Sequence, residues 1–386
     1  MKQTISIIGC TGSIGQQAIE LLQNYTKQYS VNALIAAENY KLLASNAIKT
    51  NAQIVVIANK EKYPKLKEIL NGHKVKILSG EDGVKEACST KIDRAIMAIS
   101  GFSGINAIVN TIGNCKIMAI ANKEPMVCAG KIIMKMAQDN GTQIIPLDSE
   151  HHAISRLLKG SDINEIKSFT ITASGGPFLG YTKQQLQNVT PKMSELHPIW
   201  KMGEKISIDS ATLMNKALEL IEAHNLFNIE PKKLNVLIHP QALIHALLTY
   251  QDSSVSAIIN TPDMKIPISS IFTWPKIPVY NNMLDIEKLN SIRIYKPNQD
   301  HIRVLKIAGE AMQHGGNYPT IINAANEIAV DAFMHGKILF NKIIDVIEET
   351  INLVPFNSVY NINDVIIANH SGRRAAKNII ESVKIL

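Results

Sequence analysis

The sequence predicts an α/β protein in three parts: a doubly wound parallel-sheet domain, an α+β domain with a mobile loop, and a C-terminal helical bundle. Three observations predict it. Short β-branched runs alternate with amphipathic stretches as far as Pro146, mixed strands and helices follow Asp148, and the periodicity is helical from Asp300 onward.

The first part reads element by element. Ile5–Ile8, Val31–Ala36, Ile54–Ile57, Val75–Leu78, Ala95–Ala98, Lys116–Ala119 and Gln143–Pro146 are strand candidates. They are continuously apolar rather than alternating, the pattern of a parallel sheet covered by helices on both faces. After the strand Phe169–Ile171, a Gly- and Pro-rich stretch from Gly175 through His197-Pro198 to Gly203 reads as the mobile loop. Pro275, Pro278 and Pro297 mark an extended linker. Beyond it, a helix His301–His314 stops at Gly315-Gly316, a second begins near Pro319 and ends before Gly336, and Asn363-Asp364 offers an N-cap for the last. The expected division is 1–147, 148–275, a linker over 276–298, and 299–386.

Composition narrows the function classes. The 386 residues are 46% hydrophobic and 19% charged, enough to bury a sizeable core and unlike a disordered or collagen-like chain. Cys10, Cys88, Cys115 and Cys128 share no metal-knuckle spacing and lie far apart, which fits a reducing cytoplasm better than a disulfide framework. There is no signal-peptide pattern and no run of about 18 apolar residues, so neither export nor membrane spanning is expected. The net charge of +7 raises the question of an anionic partner, but the cations are mostly scattered lysines with no basic block, which argues against nucleic acid.

Several motifs carry chemistry. Gly9-Cys10-Thr11-Gly12-Ser13-Ile14-Gly15 directly follows the first strand and opens the first helix, a Rossmann-like dinucleotide signal in GxxGxxG spacing. Ala37-Glu38-Asn39 ends the second strand, where an acidic residue suits the ribose hydroxyls of NAD and repels a 2′-phosphate. Asp148-Ser149-Glu150 lies at the carboxyl edge of the sheet. In extended backbone its two carboxylates point the same way, as ligands for Mg²⁺ or Mn²⁺; the plainer reading is a helix cap with a first-turn acid. The adjacent His151 and His152 diverge too far to share one ion comfortably.

Asp209 to Glu219 reads as one capped helix, with Ser210 at its positive end and Asn215, Lys216 and Glu219 on one arc, suited to a phosphorylated, metal-bound ligand. A surface Lys/Glu pair is its structural alternative. Thr172-Ala173-Ser174-Gly175-Gly176-Pro177 offers an anion nest, and Ala121-Asn122-Lys123-Glu124 stands at the sheet's carboxyl edge.

Taken in order, these motifs resemble the 1-deoxy-D-xylulose 5-phosphate reductoisomerase family. The resemblance spans nearly the whole chain and includes His197-Pro198-x-Trp200-x-Met202-Gly203 and Asn323-Ala324-Ala325-Asn326-Glu327. It implies rearrangement of a ketose phosphate by retro-aldol cleavage and re-addition, then hydride transfer from NADPH, in a cytoplasmic homodimer of the non-mevalonate isoprenoid route.

It also implies roles. Asp148, Glu150 and Glu219 would hold one divalent cation, Glu150 and Glu219 also lying at the substrate; Ser174, Ser210, Asn215 and Lys216 would grip the phosphate; Lys123 and Ser149 would meet substrate hydroxyls. His197 and Trp200 would close over the substrate with the loop. Gly9, Thr11, Gly12, Ser13, Ile14, Gly15, Ala37, Asn39, Asn122, Glu124 and Gly203 would line the dinucleotide. The family commonly has Gly-Lys/Arg-Asn where this chain has Ala37-Glu38-Asn39, and a basic residue where it has Glu204. NADPH remains the expected cofactor, with Lys41 or another nearby cation compensating. The rival reading is another metal-assisted NAD(P)-dependent reductase. In the last helical part, Asn326 and Glu327 are expected to serve helix packing.

Overall fold

The computed structural model describes residues 2–194, 199–200, 203–280 and 282–383, and the chain divides into two compact units. The first comprises Met1–Pro125, Ile133–His152 and Asp263–Asn281; the second comprises Met126–Ile132, Ala153–Pro262 and Asn282–Leu386.

The first unit is built on seven parallel strands: β1 (Gln3–Ile8), β2 (Tyr29–Ala36), β3 (Ile54–Ile57), β4 (Lys76–Ser79), β5 (Ile92–Met97), β6 (Cys115–Ile120) and β7 (Gln143–Pro146). Their order is β4-β3-β2-β1-β5-β6-β7, so the direction of winding reverses between β1 and β5. That reversal opens a crevice at the strands' carboxyl ends, the usual ligand position in such sheets. Ile5, Ile7, Leu34, Val55 and Ile96 are fully buried in its core. The helix Ser13–Leu22 turns Gly15, Ala18, Ile19 and Leu22 inward at helical spacing.

Of the two readings of the segment after β7, extended backbone and a helix with a first-turn acid, the structure has the second. A helix Ser149–Leu157 begins one residue after Asp148, whose carbonyl accepts from His152 N at 2.8 Å. Glu150 therefore stands in a helical first turn, where the helix dipole favours negative charge.

Asp263–Asn281 returns to this first unit through the helix Lys265–Thr273, burying Ile268, Ile271 and Phe272 in its core. Arg94 fastens it. The buried guanidinium donates to the carbonyl of Ile271, to that of Trp274 at 3.3 Å and to Gln3 Oε1 at 3.1 Å, and it lies 5.5 Å from the Tyr29 ring centroid.

The second unit contains β8 (Ile166–Ala173), β9 (Leu234–Ile238), β10 (Ile244–Tyr250) and β11 (Val255–Ile259) in the order β11-β10-β8-β9. β8 runs parallel to β9 and antiparallel to β10, and β11 forms one edge. Its helical part has Tyr318–Met334 at the centre, with Asn323, Ala324, Ala325 and Asn326 fully buried, surrounded by Gln299–His314, Ile343–Leu353 and Ile362–Val383. Asn361, not the expected Asn363-Asp364 pair, precedes that last helix: Asn361 Oδ1 accepts from Asp364 N and Asp364 Oδ2 accepts from Asn361 N.

The expected single helix over Asp209 to Glu219 is two, Glu204–Thr212 and Met214–Phe227, separated by Leu213 in left-handed conformation at φ 65°. Ser210 therefore lies near the end of the first helix, and the positive helix end belongs to Asn215 and Lys216 in the first turn of the second. Within the stretch read as a mobile loop stand two short helices, Lys183–Gln187, capped by Thr182, and Pro191–Ser194.

Arg94→Ala should destabilise the first unit by about 3 kcal/mol, because it leaves buried carbonyls without donors. The check is urea unfolding followed by circular dichroism; an unchanged transition would show that the guanidinium is not what secures the returning helix.

Candidate active site

In the first unit, Gly9 follows β1 with φ +91°, and a Cβ there would meet Ala98 O at 2.3 Å. A Cβ on Gly15 would meet Gly9 O at 2.3 Å. Both glycines are required by close backbone packing. Gly12 differs: its φ is −78° and the nearest protein atom to a Cβ would be 3.5 Å away, so the fold itself would accept a side chain. Gly12 is also the N-cap of Ser13–Leu22, with no side chain capping the helix and no acid in its first turn. An open helix N-terminus flanked by Thr11, Ser13 and Ile14 fits a pyrophosphate.

At the end of β2, Ala37, Glu38 and Asn39 are exposed. Asn39 Oδ1 caps the helix Tyr40–Thr50 by accepting from Leu42 N. The Glu38 carboxylate accepts from Asn59 Nδ2 at 2.9 and 3.1 Å. Asn59, just beyond β3, was not among the expected residues; its signal is a polar side chain at the carboxyl end of the neighbouring strand. Lys41 is also exposed.

The ends of β6 and β7 carry the charged part of this unit. Asn122 caps Lys123–Asp139 by accepting from Glu124 N at 3.2 Å, and its amide donates to Gly101 O at 2.9 Å and to the carbonyl of Ile99. Lys123 and Glu124 are both buried, and Lys123 Nζ lies 2.6 Å from Asp148 Oδ2. Burial opposes ionisation of Asp148, yet the Lys123 ammonium, His151 and a hydrogen bond with Glu150 together hold its carboxyl well below the usual range. Ser149 Oγ donates to Glu150 Oε2 at 2.6 Å, and ligand atoms of Asp148 and Glu150 lie within 4.8 Å of one another. Paired carboxylate oxygens of this kind fit a hard divalent cation.

The second unit carries the remaining expected residues. Ser174 follows β8; its Oγ accepts from Gly176 N at 3.3 Å and is 3.3 Å from Ser210 Oγ. Gly176 has φ +69°, and a Cβ there would come within 2.6 Å of Ala211 backbone, so this turn sits directly against the helix Glu204–Thr212. In the following helix, Glu219 is 1% exposed and accepts from Asn215 Nδ2 at 2.5 Å and from Lys216 Nζ at 2.6 Å. The structure thus brings Ser174 to Ser210, and Asn215 and Lys216 to Glu219.

Gly203 opens Glu204–Thr212 and its carbonyl accepts from Ser207 N. Glu204 is exposed in that helix's first turn. Trp200 lies with its ring centroid 6.4 Å from that of His245, edge to face. His245, near the start of β10, was not singled out from the sequence, since nothing in the linear pattern pairs it with a tryptophan 45 residues earlier. His197 falls outside the described residues.

Comparison with known proteins gives these residues a family. The 1-deoxy-D-xylulose 5-phosphate reductoisomerase profile matches residues 5–130, its C-terminal domain profile 144–227, and a DXP reductoisomerase C-terminal domain profile 259–375. The 1-deoxy-D-xylulose 5-phosphate reductoisomerase of Wolbachia pipientis subsp. Culex pipiens is 38% identical over 98% of this chain and 97% of its own. That of Bacteroides fragilis is 40% identical over 98% of each. Among solved structures, the Zymomonas mobilis reductoisomerase in complex with NADPH superposes with a TM-score of 0.93 at 38% identity, covering 99% of this chain and 100% of that one. A DOX-P reductoisomerase in complex with NADPH, fosmidomycin and magnesium gives 0.91 at 33% identity, covering 99% of each. With these likenesses running the length of both units, the chain belongs to the 1-deoxy-D-xylulose 5-phosphate reductoisomerase family.

Proposed function

We propose that this chain is the reductoisomerase of non-mevalonate isoprenoid biosynthesis, converting 1-deoxy-D-xylulose 5-phosphate to 2-C-methyl-D-erythritol 4-phosphate with NADPH and one divalent cation, Mg²⁺ or Mn²⁺. The observation that carries the reading is full-length identity of 38–40% to reductoisomerases in a chain that has Lys123, Asp148, Glu150, Lys216 and Glu219 at the expected metal and substrate site. Bound NADPH would supply the hydride, and the cation would supply Lewis acidity at the substrate oxygens.

The protein's own residues do the rest. Asp148, Glu150 and Glu219 would hold the cation, and Lys123 keeps Asp148 ionised for that purpose at neutral pH. Ser174, Ser210, Asn215 and Lys216 would bind the phosphate, whose remote binding energy fixes the reacting carbons. Lys123 and Ser149 would orient substrate hydroxyls, the ammonium favouring developing oxyanion charge. Trp200, with His197, would cover the substrate and exclude water.

Gly9, Thr11, Gly12, Ser13, Ile14 and Gly15 would receive the dinucleotide phosphates; Ala37 and Asn39 would border its adenosine end, and Asn122, Glu124 and Gly203 its nicotinamide end. Glu38 is compatible with NADPH because its carboxylate is already occupied by Asn59, which turns negative charge toward β3.

The working arrangement is a cytoplasmic homodimer, its nucleotide domain formed by the first unit, which takes back Asp263–Asn281 from the expected 148–275 and 276–298 segments, and its catalytic and helical parts lying in the second unit. The edge strand β11, with Val255 55% and Ile259 37% exposed, supports an association of copies. No helix among the described residues is long and apolar enough to cross a membrane.

The direct test is incubation with 1-deoxy-D-xylulose 5-phosphate, NADPH and Mg²⁺ or Mn²⁺, following absorbance and identifying the product. Folded protein that yields no 2-C-methyl-D-erythritol 4-phosphate under any of these conditions would defeat the reading. Asp148→Asn and Glu219→Gln should each lower kcat by about 100-fold or more through loss of cation binding; retained metal-dependent turnover would remove these carboxylates from the site. Wild-type protein should show a higher kcat/KM with NADPH than with NADH, and Glu38→Arg should widen that ratio about tenfold. A higher kcat/KM with NADH in the wild type would overturn the cofactor assignment.

A further inference from the structure

We propose that Asn326 is a positioning residue for the phosphate-binding face, acting through Asp209. This rests on the reading of Ser174 and Ser210 as phosphate ligands. The sequence placed Asn326 in helix packing, but its contacts in the second unit point elsewhere.

Asn326 is fully buried in Tyr318–Met334, and its Nδ2 donates to Asp209 Oδ1 at 2.8 Å across 117 residues of sequence. Lys205 Nζ reaches the other carboxylate oxygen at 2.7 Å. Asn326 Oδ1 has no hydrogen-bond partner among the described residues. For packing alone, an amide buried with its acceptor unmatched is a poorer choice than an aliphatic side chain. What the amide contributes is a donor aimed at one carboxylate.

That carboxylate needs direction. Asp209 is 2% exposed and immediately precedes Ser210 on the helix Glu204–Thr212. Successive residues on a helix diverge by about 100°. Asp209 is thereby tied to the bundle while Ser210 faces Ser174 and the Gly176 turn. The Asn326 bond sets the rotation of the helix about its axis. It also keeps a negative charge turned away from the side on which an incoming phosphate dianion would be received, where like charges in a partly buried site repel strongly. Released, Asp209 would both let Ser210 wander and repel the ligand.

The pair predicts its own rescue. In Asp209→Asn/Asn326→Asp protein the amide and carboxylate exchange places: residue 209 still presents an oxygen to Lys205 and a donor to residue 326.

The experiment measures kcat and KM for 1-deoxy-D-xylulose 5-phosphate, KM for NADPH, and the inhibition constant of inorganic phosphate, with melting temperature as a control. Asn326→Ala should raise the sugar-phosphate KM and the phosphate inhibition constant about tenfold, the equivalent of one lost charge-assisted hydrogen bond. Its kcat and NADPH KM should change less than about twofold. The exchanged double variant should recover most of the loss. If Asn326→Ala does not fold, Asn326→Ser and the double variant are compared instead.

Unchanged phosphate affinity, or a loss in kcat, NADPH KM and melting temperature together without rescue, would overturn the proposal and leave Asn326 a packing residue. If wild-type protein consumes no sugar phosphate, the proposed function fails separately. Inorganic phosphate binding by calorimetry in the same variants then decides the role of Asn326: weaker binding restored by the exchange upholds it, and equal binding refutes it.

Discussion

Lys123 meets Asp148 because β6 and β7 are neighbours in register, with Ile120 beside Pro146. The chain needs only a few further residues from each strand end to bring an ammonium to 2.6 Å from a carboxylate. Without that cation, burial would favour the protonated acid, and the carboxyl edge of the sheet would lose its fixed negative charge. Everything proposed for this edge follows from the pair. Glu150 enters in the first turn of the next helix, Ser149 holds Glu150 by a hydrogen bond, and the seven-strand sheet serves as the frame that fixes these few side chains.

Much of this frame was legible in the sequence because parallel strands buried on both faces are written as unbroken apolar runs. Ile54–Ile57 and Gln143–Pro146 coincide with observed strands, and the remaining expected strands of the first sheet overlap theirs to within a few residues at each end. What escaped was set by tertiary geometry. Asp148 and Glu150 left two readings open, an extended ligand pair or a helix cap with a first-turn acid, because their spacing serves both, and only the fold selects the helix beginning at Ser149. Leu213 carries no glycine to announce a left-handed residue, so the break between Glu204–Thr212 and Met214–Phe227 left no mark in the sequence.

The candidate site was legible unevenly for the same reason. Local pairs, such as Lys216 with Glu219 and Asn215 with Glu219, follow from helical spacing and are present as hydrogen bonds. Distant partners have no such rule: Asn59 on Glu38, His245 beside Trp200, and Asn326 on Asp209 join elements separated by 21 to 117 residues. Each supports a residue that the sequence did mark. The marked positions are those that would face a ligand, and the unmarked ones hold them in place through the fold.

All four cysteines are buried, with burial pushing the thiols of Cys10 and Cys115 up to about 12 and that of Cys88 upward as well. Thiol chemistry runs through the thiolate, so the native chain offers little to alkylating reagents. A cysteine introduced at an exposed position such as Leu179 would therefore stand out against a quiet background. The arrangement that keeps these sulfurs out of the enzyme's chemistry also leaves an exposed position such as Leu179 open to site-selective labelling without removing a native residue from the core.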